Sequence, residues 1–70
     1  MTNGEALRKE IDESGVSIAF LANKMHCSRN RIYAILGGAD CNASEIAAFT
    51  AFLHLDREKR DYIFLTYSVN

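Results

Sequence analysis

The chain contains no proline and no tryptophan, and only four of its 70 residues are glycine. Proline carries the heaviest helix penalty, ~3 kcal/mol in a helix interior, so glycine alone is left to interrupt a helix. No apolar run approaches the ~18 residues that a membrane-crossing helix needs. The opening stretch Met1-Thr2-Asn3-Gly4-Glu5 and its continuation have no apolar core of the signal-peptide kind, and the expected location is cytoplasmic. Cysteine is scarce too. Cys27 and Cys41 form no CxxC pair and make a poor disulfide framework, so both are expected as thiols in a reducing compartment. His26, Cys27, Cys41 and His54 show no zinc-site spacing, and no metal or other cofactor is expected. GxSxG, HExxH, the P-loop and GxGxxG are absent, which removes the best-marked enzyme classes and points away from catalysis. One further absence is regional: there is no acidic residue from Gly15 to Ala39.

That regional absence organises the charge. The formal net charge is only −1, which argues against a generic nucleic-acid coat. Yet the acid-free stretch carries Lys24, Arg29 and Arg31, a local +3, while the remainder sets five basic against nine acidic residues. A focused positive region suits a limited set of phosphate contacts. Hydrophobic residues make up 49% of the chain, enough for a core. At this length, however, a domain buries only ~60% of the surface its unfolded chain exposes. One small domain is expected, spanning residues 1–70, with no small-molecule ligand and no membrane partner.

Apolar spacing predicts five helices and an all-α, compact five-helix fold. The first runs from about Glu5 to Glu13, with Leu7 and Ile11 on one face, Asn3 as cap and Gly15 after its end. The second is capped by Ser17 and carries Leu21, Ala22 and Met25. The third is capped by Ser28, turns Ile32 and Ile35 inward and stops at Gly37-Gly38. The fourth, capped by Asn42 or Ser44, carries Ile46, Phe49 and Leu53. The fifth is capped by Asp56, with Glu58 in its first turn, where an acid suits the helix dipole. Its apolar residues are Tyr62, Ile63 and Tyr67, with Phe64 and Leu65 off the Tyr62-Ile63 face. Val16, Cys27 and Leu55 complete the expected core. The connection between the second and third helices is only about three residues, which forces a steep meeting of the two.

From Ser17 to Gly38 the chain resembles the helix-turn-helix of lambdoid phage repressors, Cro proteins and XRE-type bacterial regulators. Ser17, Leu21, Ala22, Cys27, Ser28, Ile32, Ile35 and Gly38 fall on that pattern in order and spacing. The segment from Ile46 to Phe64 is similar to the last two helices of the family, so the resemblance covers nearly the whole chain. His26 stands at a turn position that is usually glycine, which requires a positive φ there or a different turn.

The resemblance implies a lambda-repressor-like domain with the helix-turn-helix in helices two and three, binding double-stranded DNA as a transcriptional regulator, most simply a repressor of phage or mobile-element type. Ser28, Arg29, Asn30, Arg31, Tyr33 and Ala34 would face base edges. Arginine pairs bidentately with guanine and asparagine with adenine, at ~1–3 kcal/mol of discrimination each. Ser17, Lys24, Asn42 and Ser44 would hold phosphates. Phe64, Leu65 and Tyr67 would make a homodimer contact. A second reading on the same fold is a protein-interaction module, such as an anti-repressor, an antitoxin or an inhibitor of another protein. It draws on Ile18, Phe20, Tyr33 and Leu36 as an apolar patch beside the third helix.

Overall fold

The computed structural model describes residues 1–65 and holds five helices in chain order: α1 Gly4–Ser14, α2 Ile18–Lys24, α3 Arg29–Leu36, α4 Ala43–Phe52 and α5 Arg57–Phe64. There is no strand among the described residues. The fold is all-α, as the apolar spacing predicts.

Each helix begins where a short polar side chain can accept from the backbone N–H three residues on. Asn3 caps α1, Ser17 α2, Ser28 α3, Asn42 α4 and Asp56 α5. Such caps satisfy an N–H that has no intrahelical partner and contribute roughly 1 kcal/mol apiece. Between the two candidate caps of α4 the structure selects Asn42. Its Oδ1 accepts from Glu45 N at 2.8 Å, and the Glu45 carboxylate accepts from Asn42 N at 3.0 Å, a reciprocal capping box.

Three helix ends share one geometry. After α2, His26 N donates to Asn23 O and Cys27 N to Ala22 O; after α3, Gly38 N donates to Ile35 O and Ala39 N to Ala34 O; after α4, His54 N donates to Ala51 O and Leu55 N to Thr50 O. These paired bonds are Schellman closures, which place a left-handed residue at the first non-helical position. His26 (φ 55°), Gly38 (φ 109°) and His54 (φ 53°) occupy it. Of the two options for His26, positive φ is the one taken, and His54 repeats it.

Leu7, Leu21, Ile32, Ile35, Phe49 and Ile63 are fully buried, with Ile11, Ala22, Leu53, Leu55 and Phe64 beside them. Val16, Met25, Cys27 and Ile46, read as core, are half-buried at its margin. α3 packs on α1 and α2, and α5 on α1 and α4. The Phe49 and Phe64 rings stack with centroids 6.0 Å apart, joining α4 to α5.

The face of α5 differs from the sequence reading. Ile63 and Phe64 turn inward, while Tyr62 is exposed. Phe64 is only 4% exposed and stacked on Phe49, so it is a core residue and not a dimer contact. Tyr67 lies outside the described residues. Leu65 is exposed.

Two tight contacts fix the ends of the core. A Cβ on Gly4 would lie 1.9 Å from the carbonyl oxygen of Leu36, so the start of α1 meets the end of α3 backbone to backbone. The segment before α1 is strapped down: Thr2 N donates to Gly38 O, Asn3 N to Ile63 O, and the buried Thr2 hydroxyl to Ala39 O at 2.8 Å.

Candidate nucleic-acid interface

The short turn between α2 and α3 is shaped by its sequence. Lys24 ends α2, His26 reverses the chain at positive φ, Cys27 tucks against the core, and Ser28 starts α3 by accepting from Arg31 N at 3.1 Å. Ile32 and Ile35 are fully buried, one helical turn apart. Anchoring that face leaves Arg29, Asn30, Tyr33 and Ala34 on the outside, all exposed, with Tyr33 at 50%. Of these, Arg29 and Asn30 bring the planar donor and amide groups that read base edges. No acid occurs on α3, and α2 contributes an exposed Lys24.

Arg31 is placed differently from its neighbours. Its Nε donates to Glu45 Oε2 at 2.9 Å, and its Nη2 donates both to Glu45 Oε1 and to Asp40 O, each at 2.8 Å. Expected as a base reader alongside Arg29 and Asn30, it instead ties α3 to the start of α4. The hydrogen bonds from Arg31, helped by that from Asn42 N, hold the Glu45 carboxyl below the usual carboxylate range, against the opposing effect of partial burial. Glu45 is therefore a charged partner to Arg31 at neutral pH.

The residues expected at phosphates are all exposed. Ser17 accepts from Phe20 N, and Asn42 accepts from Glu45 N and from the Ser44 hydroxyl. The Lys24 ammonium lies 5.7 Å over the Phe20 ring. Ser17 and Lys24 belong to the α2 end of the surface and Asn42 and Ser44 to the α4 end, with α3 between them in sequence.

Of the four apolar residues behind the protein-interaction reading, Phe20 and Tyr33 are exposed and Ile18 and Leu36 are half-buried. Phe20 packs edge-on against Phe52 of α4, centroids 6.1 Å apart. Ile18 and Leu36 are half-buried against the core, leaving Tyr33 as the exposed member on α3. Phe20 closes the gap between α2 and α4 while keeping 41% of its surface in solvent.

Burial raises the Cys41 thiol above its ordinary value, which keeps it protonated and a poor nucleophile at neutral pH. Among the described residues no three His, Cys, Asp or Glu side chains converge as a metal site would require, and no helix is long and apolar enough to cross a membrane. Compared with known protein families, with curated proteins and with solved structures, the chain matches none.

Glu45 as the partner of Arg31, and Gly4 as the seat of α3, are not apparent in the sequence. The Asn42-to-Glu45 spacing does signal a capping box. Nothing local signals that the same carboxylate also receives an arginine from 14 positions earlier.

Proposed function

We propose that this chain is a sequence-specific double-stranded DNA-binding protein, a transcriptional regulator of the phage-repressor type, with α3 as the helix that enters the major groove. The observation that carries the reading is the two-sidedness of α3. Ile32 and Ile35 are wholly buried, and Arg29, Asn30, Tyr33 and Ala34 stand exposed on an acid-free helix after a four-residue turn. A recognition helix presents the residues of its N-terminal end to base edges in this way. Arg29 is suited to guanine O6 and N7, Asn30 to adenine N6 and N7, and Ala34 to a thymine methyl. Lys24, Ser17 and Ser44 supply phosphate contacts that orient the helix and carry no sequence information.

Two copies on one duplex would read half-sites ~34 Å apart, hence a near-palindromic operator. Leu65 is the described residue of the expected dimer contact that remains at the surface. Repression follows from occupying a promoter.

The test is selection from a random duplex pool at ~150 mM salt, near physiological ionic strength. A two-fold-symmetric enriched motif is expected. A folded protein that enriches nothing, and whose weak binding does not fall steeply with salt, would defeat the reading, because phosphate contacts release counterions and make affinity salt-dependent.

A further inference from the structure

We infer that Glu45 sets the sequence specificity of α3 by holding Arg31 out of the base-reading set. The inference rests on the DNA-binding reading and adds to it which of two neighbouring arginines does the reading.

Guanine is read by arginine through two parallel N–H groups on one edge of the guanidinium. That edge is either Nε with Nη2 or Nη1 with Nη2. Nε of Arg31 is given to Glu45 Oε2, and the two hydrogens of Nη2 go to Glu45 Oε1 and Asp40 O. Both edges include Nη2, so neither offers a free pair. Arg29, two positions earlier and exposed, has no such partner among the described residues, which leaves its fork toward solvent.

Glu45 is well placed to hold on. Its side chain is only 12% exposed against 36% for Arg31, and its carboxylate is fixed from the other side by Asn42 N in the capping box. An acceptor held at two points keeps a guanidinium better than a mobile surface carboxylate does. The pair also closes the loop from Gly37 to Asn42 between α3 and α4. In this arrangement Arg31 is a positioning residue for the start of α4, and Glu45 is a specificity-determining residue that touches no base.

The experiment compares wild type, Arg31→Ala, Glu45→Gln, Glu45→Ala and the Glu45→Ala/Arg31→Ala double variant, each checked for a cooperative melt. All are put through selection from a random duplex pool, followed by titration of the enriched duplex over salt. Glutamine keeps the capping box while offering Arg31 a single oxygen; alanine releases it altogether. Wild type and Arg31→Ala are expected to enrich the same motif. Glu45→Ala, and Glu45→Gln to a smaller degree, are expected to gain a guanine preference at one added position or, through a new phosphate contact, a salt slope steeper by ~0.9. The double variant is expected to lose that gain, which separates release of Arg31 from mere removal of a negative charge. A changed base preference in Arg31→Ala alone overturns the inference. So does an unchanged motif and slope in whichever Glu45 variants melt cooperatively, or a gain that survives in the double variant. If wild type enriches no motif, the DNA-binding reading itself fails and the inference falls with it.

Discussion

Replacing Gly4 by alanine sets two physical effects of opposite sign against each other. Gly4 is the first residue of α1. On helix propensity alone alanine is better than glycine by up to ~1 kcal/mol, and less at a helix terminus. The tertiary contact says otherwise. The added Cβ would sit 1.9 Å from Leu36 O, 2.7 Å from Leu36 C and 3.2 Å from Leu36 Cα. Optimal non-bonded separation is ~3.5 Å or more, so α1 and the end of α3 must part by well over an ångström. The obstacle is backbone, which cannot swing aside as a side-chain tip does. Forced separations of this kind cost typically ~1–3 kcal/mol, which outweighs the propensity gain. A domain of this length has only about 3–10 kcal/mol in total, so the loss is a large fraction. With the propensity gain taken off, a net loss of ~1–2 kcal/mol remains, and at ~4–8 °C per kcal/mol for a domain of this size the melting temperature should fall by roughly 4–16 °C. Thermal unfolding followed by far-ultraviolet circular dichroism measures it directly. Equal or greater stability in Gly4→Ala would refute the contact argument and leave propensity as the winner.

Three other outcomes are expected. Arg29→Ala should cost about 1–3 kcal/mol of discrimination at one base position with no shift in melting temperature, read by competition between the selected duplex and single-base variants; undiminished discrimination would exclude Arg29 as a reader. His54→Gly should raise stability by up to ~1 kcal/mol, because a left-handed residue with a Cβ costs roughly that much more than glycine, and a thermal melt that drops would count against the strain. Glu45, whose folded-state value is depressed, stabilises the protein fully above its ordinary 4.5; that contribution disappears as pH falls through the lowered value. Wild type and Glu45→Gln should therefore differ at neutral pH and converge in acid, and urea unfolding curves that stay parallel down to pH 3 would contradict the ion pair's role.

What was legible in the sequence was local. Asn3, Ser17, Ser28 and Asp56 announce helix starts because a cap bonds to a backbone N–H only a few residues away. Leu7 with Ile11 and Ile32 with Ile35 announce buried faces because helical spacing repeats within a single helix. The face of α5 was not legible. Tyr62, Ile63, Phe64 and Leu65 are apolar in succession, and in an eight-residue helix such a run favours no side; stacking on Phe49 decides it. The candidate surface divides in the same way. Arg29 and Asn30 are exposed because their neighbour Ile32 is buried, a local consequence. Arg31 is engaged because a carboxylate from the next helix arrives beside it, which only the tertiary fold supplies.

The anchoring of α3 has a consequence for how such a protein diversifies. Its first turn is tied to α4 through Arg31 and Glu45, its last residue rests on Gly4, and its inner face is closed by Ile32 and Ile35. Positions 29, 30, 33 and 34 take no part in any of these attachments. They form an alphabet of four places in which letters can be exchanged while the frame that presents them stays put. Under the proposed DNA-binding reading, a lineage built on this frame would acquire a new target by substituting at those four places, one at a time, with the attachments of α3 left in place.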